Sequence, residues 1–483
     1  MNTLKKFHLV LLFALLVGCS GNTATPVANV DPTLTPVDQI PIGTPTVLPE
    51  AQAFYEQAET ARKAGDFQKA LELYNQAIQI DPNFSQAYKN RGNVYMDGLG
   101  NLTAAYNDYT KALELDPSYA IAYNNRGLVH EKWGDYESSL DDFNKAIELD
   151  PSYANAYRNR GHVFWLLGYQ DKALGDFNTS IELGPTTSVL NYRGTLFQER
   201  GSYQQAITDF EAAIELNPRE DSAHVNLGNL YFLFLDDPRK AITIYTEGIE
   251  LNPDSAILYY NKGNAYKSLR EYNLAIESYT KAIELNPRYL AAYNNRGNTY
   301  NILNEYKAAI ADYTKVLEIN PNFILCWECR GLMYFHLDMY EEAISDYSKV
   351  IELNPFNPEP YLVRSVLYEA LGEQGKSEVD FEIALELTGS LAETLTFRAK
   401  AYLLFYHMDK IRLALADLDE AIKLDPEYAR AYFYRCVANI QLRDPESGVA
   451  DCRTFLDIGT DPELRQNAEA LIRGEGFEPY PSQ

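Results

Sequence analysis

The clearest run of pattern extends from Leu290 to Phe323 and reads LAAYNNRGNTYNILNEYKAAIADYTKVLEINPNF. Tyr293, Gly297 and Tyr300 fall three to four residues apart, one face of a 3.6-residue helix. Asn304-Glu305 interrupts that face as a turn. Ala309, Tyr313 and Val316 then restart the pattern on a second helix. Pro321 ends the second helix, because proline has no N–H to give and restricts the residue before it. The spacing therefore predicts a helical hairpin. Small residues at Gly297 and Ala309 let the two helices approach, and large aromatics fill the remaining space.

This 34-residue unit recurs about twelve times between Ala51 and Pro462, and a fixed period of this length signals a solenoid. A proline after Asp, Asn or Gly marks the beat at Pro82, Pro117, Pro151, Pro185, Pro218, Pro253, Pro287, Pro321, Pro355 and Pro426. Gly389 stands where one further proline is expected. The 37 tyrosines, odd for one domain, are ordinary for a core motif copied this often. Repeat 2 carries one extra residue around Gly98-Leu99-Gly100, and repeat 6 carries one near Asp236-Asp237-Pro238. Repeat 11 is expected to have a longer turn, Tyr406 to Arg412.

With Leu290 as position 1, the unit resembles the tetratricopeptide repeat: aromatic at 4, Gly or Ala at 8, Tyr at 11, Ala at 20, Tyr or Phe at 24, Ala at 27 and Pro at 32. Position 7 departs from the family's leucine and is mostly arginine. The resemblance implies an all-α fold, a right-handed superhelical solenoid of about twelve helix-turn-helix repeats closed by a C-terminal capping helix. It also implies a non-enzymatic scaffold or adaptor that binds extended peptide segments of protein partners on its concave face.

The amino terminus adds a location. Lys5 and Lys6 precede an apolar run from Phe7 to Val17, which is too short to span a bilayer and suits a signal-peptide core. It closes on Leu16-Val17-Gly18-Cys19, which resembles the lipobox of bacterial lipoproteins. That resemblance implies cleavage before Cys19, lipid on Cys19, and a protein exported and held at the outer face of a bacterial membrane. Ser20, rather than aspartate, points to the outer membrane where there are two. Residues 20–50 hold six prolines and six threonines without an aromatic ring, the composition of an extended tether. The expected organisation is thus 1–18 signal peptide, 19–50 tether, 51–462 solenoid, 463–474 capping helix and 475–483 flexible tail. A formal charge of −26 argues against nucleic acid as partner, since that surface demands a basic face.

Two positions inside the repeat vary together. Position 7 is arginine in nine repeats: Arg91, Arg126, Arg160, Arg193, Arg296, Arg330, Arg364, Arg398 and Arg435. Position 23 of the same repeats is aspartate: Asp108, Asp142, Asp176, Asp209, Asp312, Asp346, Asp380, Asp417 and Asp451. The three repeats without the arginine pair Gln57 with Leu73, Leu227 with Ile244, and Lys262 with Ser278. The covariation predicts a structural ion pair between the two helices of each repeat. The competing reading is a ladder of arginines for an acidic ligand.

Positions 6 and 9 lie opposite the packed face of the first helix. They carry Asn90, Asn93, Asn125, Asn159, Asn226, Asn229, Asn261, Asn264, Asn295 and Asn298. An amide both donates and accepts, so such a row suits the backbone of an extended peptide whatever its sequence. It resembles the asparagine ladder in the repeats of O-linked N-acetylglucosamine transferases, though no transferase domain follows here. The same amides can instead bond to neighbouring repeats or to water. A tyrosine- and asparagine-rich groove also suits a non-protein envelope ligand such as cell-wall glycan. No histidine pair has metal-ligand spacing, and no phosphate loop or nucleophile elbow appears, so no cofactor, metal or catalytic residue is expected. Cys326 and Cys329 read as two neutral small side chains. Cys436 and Cys452 face each other in the core of repeat 12 and stay open between thiols and a bridge.

Overall fold

The computed structural model describes residues 47–404 and 408–474. The proposed signal peptide, Cys19, most of the proposed tether, the proposed tail beyond residue 474 and three residues near the repeat 11 turn lie outside them. Among the described residues there are 25 α-helices, and they form twelve antiparallel pairs with one helix left over. The chain divides into two units, residues 28–253 and residues 254–483 apart from the extreme amino terminus. The first contains six described pairs, from Pro49–Lys63 with Phe67–Ile80 to Asp221–Asn229 with Pro238–Leu251. The second contains six pairs, from Ala256–Ser268 with Tyr272–Leu285 to Ala429–Gln441 with Pro445–Ile458, and the closing helix Pro462–Ile472.

Local chemistry sets the ends of these elements. Asp66, Asn101, Asp135, Asp237 and Asp444 cap second helices by accepting from a backbone N–H three residues on. The turn before them needs a left-handed residue, supplied by Gly65, Gly134, Gly168 and Gly201, or by Asn304 and Asp338 where no glycine is available. Gly389, in place of a proline, ends its helix in the same conformation.

The core is the close approach that the repeat encodes. A Cβ added at Gly127 would sit 2.8 Å from the ring of Phe143, and one at Gly263 would sit 2.6 Å from Tyr279. At these positions a residue without a side chain lets a fully buried position-24 ring lie against the first helix. In repeat 12 the two positions are Cys436 and Cys452, and they form a disulfide. Cys326 and Cys329 are buried thiols. Leu464, Ala468 and Leu471 of the closing helix join the core around Phe455, so the last pair is covered.

The extra residues of repeats 2 and 6 do not lengthen the turn. They are absorbed into π-helical turns at Val94–Gly98 and Leu230–Phe234, since one inserted residue widens the helix without breaking its backbone bonding. In repeat 11, Met408 to Arg412 belong to the second helix, which runs 17 residues from Met408 to Leu424.

Candidate interaction face

Every position-7 arginine reaches its repeat's aspartate with two nitrogens. Nε and Nη2 lie 2.6–2.9 Å from the two carboxylate oxygens in all nine pairs, Arg91–Asp108 through Arg435–Asp451. The aspartates are buried, and burial pushes the carboxyls of Asp108, Asp312, Asp346 and Asp417 up while the facing arginine opposes it. Rings at positions 4 and 11 flank the guanidinium; Arg330, for example, lies 4.8 Å from the centre of Trp327 and 5.6 Å from that of Tyr334. The arginine has a second reach that the sequence pattern did not reveal. In eight repeats Nη1 donates to the preceding repeat, at Asn75, Thr110, Asn144, Asn178, Thr280, Thr314, Ser348 or Asp419. One side chain thus ties two helices and two repeats, and no nitrogen of such a fork is left over for a ligand.

The asparagines are also largely committed. Asn93 Oδ1 accepts from Tyr109 of its own repeat at 2.8 Å and from Asn125 of the next at 2.9 Å. Asn264 Oδ1 does the same with Tyr279 and Asn295, both at 2.8 Å. Asn229 accepts from Tyr245 and Asn298 from Tyr313, each at 2.7 Å. Asn90 donates to Tyr55 and Glu59, Asn159 to Asn124, and Asn226 to Asn191. Asn90, Asn125, Asn159 and Asn261 are buried. The ladder therefore closes seams between repeats before it offers anything to a peptide.

This network had a signal in the sequence that position 9 alone does not show. Where position 9 is an amide or carboxylate, as in Glu59, Asn93, Asn229, Asn264 and Asn298, position 24 is tyrosine. Where it is Leu128, His162, Thr195 or Val366, position 24 is phenylalanine. The hydroxyl is present where it has an acceptor, as burial requires. Repeat 9 is the exception: position 9 is Leu332, and Tyr347 makes a long bond to the Glu328 carbonyl.

One part of the first-helix face, in repeats 3 to 5, is built differently. Arg158 stands at position 5, away from any aspartate. Its Nε and Nη2 donate to Asn159 Oδ1 at 3.2 and 3.1 Å, and its Nη1 to Ser188 Oγ at 3.3 Å. Both acceptors are neutral, and burial holds the guanidinium below its ordinary range while Tyr192, Tyr153 and Glu131 oppose it. His162 stacks on Tyr192 with ring centres 4.7 Å apart, bonds to Glu131 at 2.9 Å and meets Trp165 edge-on. Trp165 donates to Glu199 at 2.8 Å. A costly cation with no carboxylate bonded to it, only Glu131 acting through space, thus adjoins a cluster of rings. An arginine with no covarying aspartate was the sequence signal for it.

Among the described residues no cluster has the make-up of a metal site, and no helix is long and apolar enough to cross a membrane. Twelve helical hairpins stacked through their first helices define a helical-repeat scaffold for protein–protein interaction. Residues 120–153, 256–289, 290–323 and 324–357 match the tetratricopeptide repeat, as do 221–255 and 399–461. Residues 60–97, 99–134 and 194–233 match the TPR repeat. The chain belongs to the tetratricopeptide-repeat family. Among solved structures it is similar to a MamA protein, at 28% identity over 35% of this chain and 92% of that one, with a TM-score of 0.32. It is similar to YrrB, described as a TPR protein with an unusual peptide-binding site, at 26% identity over 39% of this chain and 97% of that one, with a TM-score of 0.31. Yeast Tom70 matches at 18% identity over 89% of this chain and 97% of that one, with a TM-score of 0.32. No curated protein matches.

Proposed function

We propose that this protein is a non-enzymatic adaptor, held at the outer face of a bacterial membrane by lipid on Cys19, that binds an extended segment of a protein partner during assembly of a cell-envelope complex. The observation that carries the binding site is Arg158. A half-buried guanidinium whose hydrogen bonds reach only neutral oxygens, with Glu131 acting on it only through space, gains most from a carboxylate that bonds it directly. The stacked His162 and Tyr192 and the half-buried Trp165 give the rest of the segment an apolar surface. The seat is therefore repeats 3 to 5 rather than the whole asparagine ladder. Export is supported by the Cys436–Cys452 disulfide, since such bonds persist in oxidising compartments.

The test is cross-linking and pull-down of the lipidated protein from its source envelope, beside a variant carrying Arg158→Ala and Tyr192→Ala. Partners captured by the parent and lost by the variant support the reading. Partners kept by both move the interaction to another face. The ring cluster of His162, Trp165 and Tyr192 also favours a second reading, stacking of a sugar from cell-wall glycan. Muropeptide titration separates the two: saturable binding that requires Trp165 would select the glycan.

A further inference from the structure

In residues 28–253, the edge formed by the turns within repeats is unlike the opposite edge. Leu99, Trp133, Tyr169, Leu233 and Phe234 stand on it, each between 45% and 57% exposed. Contacts link neighbouring repeats along this edge, between repeats 2 and 3 and from repeat 4 through repeat 6. Trp133 of repeat 3 contacts Tyr106 of repeat 2 at 5.3 Å, Arg200 of repeat 5 bonds Asp171 of repeat 4 at 2.8 Å, and Phe234 of repeat 6 contacts Tyr203 of repeat 5 at 5.9 Å. The π-helical turns contribute directly. The one at Leu230–Phe234 keeps Leu230 in the core and carries Leu233 and Phe234 out to the tip.

Charge divides the same two edges. The six turns within repeats 1 to 6, taken with four helical residues on each side, hold nine acids and eight cations. The five connectors between those repeats, counted in the same way, hold nine acids and one cation, Arg219. Exposed leucines occur on the acidic edge too, at Leu183 and Leu216, but each stands alone behind a glutamate. One edge is thus aromatic, apolar and close to neutral, and the other is apolar only in spots and strongly acidic.

We infer that the ridge of turns in repeats 2 to 6 rests on the interfacial layer of an uncharged lipid bilayer, so that the first unit lies against the membrane rather than standing away from it. Trp, Tyr, Phe and Leu are the side chains that partition into that layer, with the rings at headgroup level. The acidic edge then faces water. This rests on the lipid-anchor reading, which places a bilayer at Cys19, and 28 residues separate Cys19 from Val47 at the start of the described chain. Extended at about 3 Å per residue, that stretch reaches about 80 Å, enough slack for the unit to lie down.

The experiment reads tryptophan fluorescence of the full-length protein on phosphatidylcholine vesicles, with and without bromine on the acyl chains. Trp133 is on the ridge, whereas Trp165 bonds Glu199 and Trp327 packs under Arg330. Quenching by the brominated lipid that disappears in Trp133→Phe, and falls at least twofold in Leu233→Asp/Phe234→Asp, supports the ridge. Circular dichroism of both variants confirms that they fold. Equal fluorescence on both lipids overturns it. Mass spectrometry of the same sample reports whether Cys19 carries lipid. A bare Cys19 sinks the anchor reading alone, because quenching on added vesicles still decides the ridge.

Discussion

Repeats 2 to 4 and repeats 9 to 12 use the same hairpin and close their seams by opposite chemistry. In the first region neutral amides pass from repeat to repeat: Asn125 to Asn93, Asn124 to Asn125, Asn159 to Asn124. In the second, position 6 is Cys329, Val363, Phe397 and Tyr434, all buried. Repeats there are linked by ion pairs, among them Lys400 to Glu359 at 2.5 Å, with Glu328 beside it. Amides saturate one another and remain indifferent to pH. An ion pair in an apolar seam depends on both partners and on the protonation of any third group nearby. The backbone repeat therefore fixes the hairpin, while the seam is free to be tuned for constancy or for sensitivity.

The strongest interaction common to both regions sets the reference for that comparison. Arg126→Ala and Arg364→Ala each strand a buried aspartate, Asp142 or Asp380, and each should cost about 3–5 kcal/mol. Replacing the pair as Leu and Ile, the combination already present at Leu227 and Ile244, should recover most of that loss. Denaturant midpoints of the single and double variants of Arg126–Asp142 test this. A double loss equal to the sum of the two single losses would mean that the pair is not coupled.

Next in size is the seam ion pair. Burial alone would lower Lys400, but the charges of Tyr434, Glu359 and Glu328 outweigh it and hold the ammonium above its ordinary value. Lys400→Met leaves Glu359 and Glu328 facing each other and should cost about 2–3 kcal/mol, less than a fully buried pair because Glu359 is partly solvated. Hydrogen exchange of Leu391–Leu404 should speed up, while Ala120–Trp133 in the amide region should be unchanged. Acceleration in both would erase the distinction.

How much of this was legible follows from particular residues. The hairpin, its period and the Arg–Asp register could be read because each depends on positions that repeat. The link from Nη1 to the previous repeat was hidden because its acceptor alternates among Asn, Thr, Ser and Asp, types that share an oxygen but no pattern. The Tyr–Asn link could have been read, since hydroxyl and acceptor vary together. The π-helical turns could not: an inserted residue is visible in the sequence, but whether a turn or a helix absorbs it depends on packing around Val94 and Leu230. Arg158 was visible as the arginine without its aspartate, and only the fold shows that its acceptors are neutral.

The pH response of Glu328 separates the two seams at smaller amplitude. Burial, aided by Glu359 and opposed by Lys400, pushes Glu328 up to about 7. An acid whose folded pKa exceeds its unfolded value holds its proton more tightly when folded. Its contribution to stability is therefore present at low pH and is lost as pH rises from about 4.5 through about 7. After discounting for partial exposure, the loss should be about 1–2 kcal/mol. Exchange protection of Ile324–Phe335, corrected for intrinsic rates, should fall between pH 5.5 and 8, and Glu328→Gln should flatten that fall. The amide seam should show no such slope across Ala154–Leu166; a matching slope there would assign the response to the chain's overall acidity.

The smallest effect probes the amides themselves. Asn125→Ala removes the donor to Asn93 and the acceptor for Asn124. Asn93 keeps its bond from Tyr109, and Asn124 Oδ1 keeps the one it accepts from Asn159, but the buried Asn124 Nδ2 loses its acceptor. The cost should be about 1 kcal/mol, the low end for a single orphaned neutral donor. Partner capture should be unchanged, because the seat around Arg158 and Tyr192 is intact. Tyr109→Phe in the same background should add a further loss, because it leaves Asn93 without the second of its two bonds. If Asn125→Ala abolished capture at unchanged stability, the amides would be the peptide contact after all, and the division between a seam that holds repeats and a seat that holds partners would fail at its simplest point.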